Sequence, residues 1–213
     1  MSLYVFDLDK TLIKGNGSFK FYFFLYGARF FSPLSIVYSI SYYLRHRFFK
    51  LSLTDLHQKV FKTFLKGKSL SEILRYVDLF LDQNLDQMLD PKTVSYLEAA
   101  RKNGHYISIL SSSPSFLVEP IAEKLKVDSW RATEYGRDSS SKLTKIDSLI
   151  EGEKKAVIAK ELAIKLSLNP DEIVVFTDSI SDLPLARVAG KVIAVRPDRK
   201  FRSICKQEGW KII

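Results

Sequence analysis

The first strand and the residues after it constrain the fold more than any other stretch. Leu3-Tyr4-Val5-Phe6 is a short continuous apolar run, as expected of a strand buried on both faces of a parallel sheet. It ends in Asp7 and Asp9, with Thr11 two residues further on. Ligands of open α/β sheets bind beyond the carboxyl ends of the strands. The two carboxylates therefore stand where chemistry usually sits. Taken alone, the same three residues also describe a solvated strand end.

From residue 105 onward, strand and helix patterns alternate, which predicts a parallel α/β sheet. The spacing predicts a strand over 105–110, then a turn through Ser111-Ser112-Ser113-Pro114 into a helix over 114–126. Extended pieces follow at 130–135 and 142–149 around a polar tip, then a helix over 153–166 that leaves through Asn169-Pro170. A strand over 173–177 runs into Asp178-Ser179-Ile180-Ser181-Asp182, and 192–195 is a further short strand. The pattern leaves the tail to Ile213 unplaced.

Between the first strand and this alternation the chain reads as helical. Leu56, Val60, Phe61, Phe64 and Leu65 mark an amphipathic helix closed by Gly67. Leu70, Ile73, Leu74, Val77, Leu81, Leu85 and Met88 mark a second, and Asp90-Pro91 reads as the N-cap and first position of a third. The expected organisation is a Rossmann-like core from 1–13 and 92–213, with an all-helical cap inserted over 14–91.

The opening of that insert is unusual. Thirteen of the thirty-one residues from Phe19 to Phe49 are Phe or Tyr, and no acid occurs between Asp9 and Asp55. The longest uncharged run, 30–44, is fifteen residues and contains Pro33, short of the roughly 20 that a bilayer core requires. The plainer reading is a helical subdomain with an aromatic core. The alternative is a peripheral membrane contact, with aromatics at the headgroup level and Arg45, His46, Arg47 and Lys50 facing anionic lipid.

Composition narrows the class. With 46% hydrophobic and 27% charged residues, the 213-residue chain is globular, not disordered. Its single cysteine, Cys205, excludes an internal disulfide, and a cytoplasmic location is expected. The net charge of +9 suits an anionic partner. Nucleic acid is not expected, because the aromatics concentrate in one stretch and the excess charge is spread along the chain.

Four groups of residues can carry chemistry. Asp7 and Asp9 end the first strand. Ser111 stands where a second strand meets a helix start, a place suited to phosphate, although Ser112, Ser113 and Ser115 compete for the role and plain N-capping is the bland alternative. Lys154 and Lys155 lie in the first turn of a helix, where the dipole disfavours a cation unless an anion faces it. Asp178 and Asp182 follow a third strand, and carboxylates gathered at one sheet edge call for a hard divalent cation.

Together the set resembles the haloacid dehalogenase-like phosphohydrolase superfamily. Its four signatures stand here as DLDKT (7–11), the strand-end serine of ILSSSP (109–114), the lysine of GEKK (152–155) and DSISD (178–182). The helical insert resembles the first cap position (C1) of subfamily IB, the group of phosphoserine phosphatase, and also phosphatidylglycerophosphatase C-like members. The resemblance implies an Mg²⁺-dependent phosphatase in which Asp7 is the nucleophile and Asp9 the general acid and base. It further implies that Thr11, Ser111, Ser112 and Lys155 serve the phosphate, and that Asp7, Asp9, Asp178 and Asp182 serve the metal. Lys155 is preferred to Lys154 by alignment.

Three departures stand out. Thr177 occupies a position where the family often has glycine, and Lys10 one where a small residue is common. Phosphoserine phosphatases also place a glutamate early in the cap for the substrate amine, and the acid-free stretch here argues against phosphoserine. The expected substrate is a phosphorylated small molecule, with a lipid phosphate at the membrane surface as the alternative. A non-catalytic anion-binding module is the reading of a different class.

Overall fold

A computed structural model describes residues 1–32, 38 and 53–213. In chain order the first elements are β1 (Leu3–Phe6), α1 (Gly17–Gly27), α2 (Leu53–Val60) with a π-helical turn (Phe61–Leu65), α3 (Leu70–Met88) and α4 (Pro91–Lys102). Then come β2 (Tyr106–Pro114), α5 (Ser115–Lys124), β3 (Ser129–Arg137), β4 (Leu143–Ser148) and α6 (Gly152–Lys165). The chain closes with β5 (Ile173–Thr177), α7 (Leu183–Arg187), β6 (Lys191–Ala194), α8 (Arg199–Gln207) and β7 (Lys211–Ile212).

The strands form a seven-stranded sheet of order β4-β3-β2-β1-β5-β6-β7. β1 lies between β2 and β5 and is parallel to both, with Phe6 level with Ile109 and Phe176. β6 and β7 continue the parallel pairing, whereas β3 and β4 form an antiparallel hairpin. Alternate residues of a strand face opposite ways, and both faces of β1 are covered. Leu3 and Val5 pack with Ile173, Val175 and the small residues Ala159 and Ala163 of α6. Phe6 stacks on Phe176 at 4.4 Å, and Tyr96 of α4 meets Phe176 at 5.4 Å. Burying each large apolar side chain contributes about 1.5–3 kcal/mol, which explains why the strand is apolar until Asp7.

Two compact units emerge. One comprises 1–17, 84–132 and 150–213; the other comprises 18–83 and 133–149. The first holds β1, β2, β5, β6, β7 and the start of β3, whereas β4 and the rest of β3 fall in the second. In the second, Phe21 and Phe24 contact Phe80, and Tyr22 and Phe31 contact Phe64, at ring separations of 5.3–5.6 Å. Of the aromatic stretch that starts at Phe19, Phe21 and Phe31 are buried in this core. The 133–149 segment joins this unit through Gly67, which donates its N–H to the Leu143 carbonyl, and through Phe61, stacked on Tyr135. Gly67 has φ +77°, which disfavours any residue with a Cβ.

Three elements differ from the sequence expectation. β2 continues through Pro114, so the serines lie on an extended end and not in a turn. Pro114 biases the residue before it toward extended backbone, and the Ser111 hydroxyl accepts the Ser113 N–H at 3.1 Å. The amphipathic helix ending at Leu65 closes with a π-turn. The unplaced tail forms α8, capped by Asp198, and a seventh strand. No helix among the described residues is long and apolar enough to cross a membrane. Most of the uncharged run 30–44, together with Arg45, His46, Arg47 and Lys50, lies outside those residues.

Candidate active site

The parallel register brings the ends of β1, β2 and β5 to one edge, and the first turn of α6 supplies a cation there. Lys155 is 2% exposed, while Lys154 is on the surface. The Lys155 ammonium donates to Asp7 Oδ1 at 2.8 Å and to Asp182 Oδ2 at 2.9 Å. Thr177 donates its hydroxyl to that same Asp182 oxygen at 2.8 Å. Asp7, Asp178 and Asp182 are all buried, and two of them share one ammonium.

The electrostatics follow from this imbalance. Burial pushes the Asp7 carboxyl up to about 8; Lys155 pulls it back, while Asp182 and Asp178 push it further up. Burial also lifts Asp178 to about 6, opposed by Lys10 and reinforced by Asp182. Burial alone would depress Lys155, but the Asp182 and Asp7 carboxylates overcome it and hold the ammonium charged. The cluster carries more negative charge than its own cation can balance. Among the described residues, no three acid, histidine or cysteine side chains gather into a metal cluster. Asp7 and Asp178 are carboxylates that could hold a hard cation, and Mg²⁺ binds through one or two carboxylates with other oxygen ligands.

Asp9 is held differently. Its Oδ1 accepts the Gly17 N–H and its Oδ2 accepts the Ser113 hydroxyl, each at 2.5 Å. Burial raises its pKa, against the pull of these two donors. Gly17 has no room for a side chain, since a Cβ would stand 2.8 Å from the Ile13 side chain and 3.3 Å from Asp9 Oδ1. Ser111 is buried and accepts from Ser113; Ser112 is partly exposed. The N-cap of α5 is Pro114, with no capping side chain, so N-capping does not account for the serines. Thr11 is fully buried, and its Oγ1 has no hydrogen-bond partner among the described residues.

A model of the haloacid dehalogenase-like hydrolase family matches residues 4–187. The chain belongs to that family. It is 22% identical to phosphoserine phosphatase SerB1 of Mycobacterium tuberculosis, over 97% of this chain and 68% of that one. Among solved structures, a Bordetella pertussis protein of unknown function aligns with a TM-score of 0.88 at 20% identity, covering 99% of this chain and 97% of that one. A phospho-aspartyl intermediate analogue of phosphoserine phosphatase aligns with a TM-score of 0.70 at 19% identity, covering 99% and 91%.

In this haloacid dehalogenase-like hydrolase the departures acquire physical meaning. Thr177 supplies a hydroxyl that fixes Asp182. Lys10 adopts φ +57°, a left-handed conformation that glycine takes without cost, and it is exposed. Gly152 is a requirement that its sequence context did not reveal: a Cβ there would lie 2.0 Å from the Ser181 carbonyl oxygen. Gly152→Ala is accordingly expected to push α6 off the Asp178–Asp182 loop and destabilise the protein by about 1–3 kcal/mol. Urea unfolding of the variant checks this; an unchanged midpoint would contradict the packing.

Proposed function

We propose that the protein is a phosphomonoester hydrolase that uses Mg²⁺ and passes through a phosphoryl group carried on Asp7. One observation carries the reading: buried Lys155 joins Asp7 to Asp182 at the strand ends, beside an Asp9 held by two donors of its own. The family match and the fold shared with phosphoserine phosphatases support it.

The chemistry divides into two displacements. An Asp7 oxygen bonds to phosphorus as the bond to the leaving oxygen breaks, and Asp9 gives that oxygen a proton. A raised pKa suits an acid that must arrive protonated. Asp9 then takes a proton from water, which attacks phosphorus, releases phosphate and returns Asp7 as a carboxylate. Lys155 offsets charge on the transferring group, and the Thr11, Ser111 and Ser112 hydroxyls serve its oxygens. Asp7, Asp178, Asp182 and the Asp9 carbonyl are the groups that would hold Mg²⁺, and the ion would supply charge neutralisation at the phosphoryl group.

The substrate class follows from the sequence of the insert. An acid-free stretch from residue 10 to residue 54 offers nothing to pair with a substrate amine. A phosphate-release panel with Mg²⁺ is expected to rank amine-free monoesters above phosphoserine. Phosphoserine as the best substrate would overturn this assignment.

A second reading, a lipid phosphate taken at a membrane surface, draws on one further observation. Phe19 and Phe23 lie one turn apart on α1, 51% and 48% exposed, with ring centroids 4.8 Å apart. Lys20 is exposed beside them. Under this reading, flotation with phosphatidylglycerol vesicles carries the wild type upward, and Phe19→Ser/Phe23→Ser stays at the bottom. Wild type that also stays at the bottom would remove the lipid reading.

A further inference from the structure

The 195–198 segment, between β6 and α8, touches both acid-bearing loops, although no sequence pattern marks a role for it. Its contacts with the Asp178 loop come first. The Asp198 N–H donates to the Asp178 carbonyl at 2.9 Å, and Val195 N–H donates to Thr177 at 2.9 Å. The Asp198 carboxylate is divided between two tasks. Oδ1 accepts the Lys200 and Phe201 N–H groups at 2.9 Å and so caps α8. Oδ2 accepts the Ile180 N–H at 2.9 Å, inside the Asp178–Asp182 loop.

The second set of contacts reaches the Asp7 loop. Arg196 donates from Nη2 to the Lys10 carbonyl at 3.0 Å, and its Nη1 pairs with buried Asp90. Asp90 donates its own N–H to the Leu12 carbonyl and caps α4 through Thr93. Arg196 itself has φ +44°, a backbone state that a β-carbon disfavours. Strain of this kind persists only where the surroundings over-determine it, and here the guanidinium is fixed at both ends. Lys10, the residue it grips, is also left-handed.

We propose that Arg196 and Asp198 are positioning residues that brace the Asp7–Thr11 and Asp178–Asp182 loops at the separation a shared divalent cation requires. The inference rests on the phosphatase reading above. Neither side chain need touch the cation or the substrate; each holds the backbone that presents a ligand. Groups of this kind, one layer behind metal ligands, typically alter metal affinity by about 10–100-fold. The Asp198 backbone bond to Asp178 survives any substitution, so the side chain's share can be measured separately.

Asp198→Ser is the informative variant. Serine is a good N-cap and keeps α8 started, but it is too short to cap the helix and reach Ile180 together. Arg196→Lys keeps the charge and loses the two-armed grip. Mg²⁺ binding is titrated calorimetrically on the full chain without substrate, alongside thermal melts and turnover of p-nitrophenyl phosphate. Each variant is expected to bind Mg²⁺ about tenfold more weakly while keeping the wild-type far-ultraviolet circular dichroism, with turnover recovering at raised Mg²⁺. Folded Asp198→Ser that binds Mg²⁺ with wild-type affinity overturns the brace while leaving the phosphatase reading standing. Should Asp198→Ser unfold, Asp198→Asn, which retains an acceptor oxygen, is held to the same criterion. Wild type that binds no Mg²⁺ and yet turns over overturns the metal assignment and the brace with it.

Discussion

Asp7→Asn is expected to lower phosphate release from p-nitrophenyl phosphate by about 10⁴-fold or more, the scale of loss when a covalent nucleophile is removed. The substitution keeps the shape of the side chain and one acceptor oxygen for Lys155, so the loss reports chemistry and not collapse. Its effect on stability runs the other way. The folded protein holds the Asp7 proton up to about pH 8, whereas an unfolded aspartate releases it near pH 4. A pKa raised by folding adds stability that is complete below about pH 4 and is lost as the pH rises through 8. Metal-free wild type therefore loses this contribution across that window, and Asp7→Asn does not. At pH 8 without metal, the variant is expected to melt about 2–4 °C higher, corresponding to a gain of about 1 kcal/mol. A gain in stability with loss of turnover is the signature of a group strained for function. A variant less stable at pH 8 would contradict the electrostatic account.

Lys155→Met is expected to be the most damaging single change. It removes the one ammonium bonded to Asp7 and Asp182 and leaves those carboxylates buried without it. Breaking a buried ion pair from one side costs about 3–5 kcal/mol, and turnover should fall to background. Chemical denaturation with and without Mg²⁺ measures the first, and the double variant Asp7→Asn/Lys155→Met identifies its cause. Removing the Asp7 carboxyl from a buried cluster that has lost its cation should restore part of the stability. A double variant no more stable than Lys155→Met would mean that the loss is one of packing alone.

Much of this arrangement was legible because the chemistry violates what the fold itself needs. A run of Leu3 to Phe6 has no structural reason to end in two acids, nor a helix to begin with Lys155, and each anomaly marks a residue at the sheet edge. The parallel sheet was legible for a related reason: strands covered on both faces are apolar runs, as β1 is and as β5 is up to Thr177. The brace was not. Arg196 and Asp198 act through the backbone of loops distant in sequence, and they lie in a tail that the sequence pattern leaves unplaced. Thr177 could be seen only as a departure, because the oxygen it bonds belongs to a side chain five residues on. The union of the 133–149 hairpin with the inserted helices was equally silent, since it rests on main-chain bonds such as that from Gly67 to Leu143. Sequence patterns reveal burial and charge; they do not reveal which carbonyl a given N–H will meet.

The central claim is that phosphate passes through Asp7. Its most direct test is to mix the wild-type protein with Mg²⁺ and excess p-nitrophenyl phosphate, quench in acid within the first turnovers, and locate any phosphoryl group by peptide mass spectrometry. A phosphoryl group is expected on the peptide containing Asp7, lost on treatment with hydroxylamine and missing from Asp7→Asn. Rapid turnover with no phosphorylated protein at any quench time, or a phosphoryl group on another side chain, would contradict it.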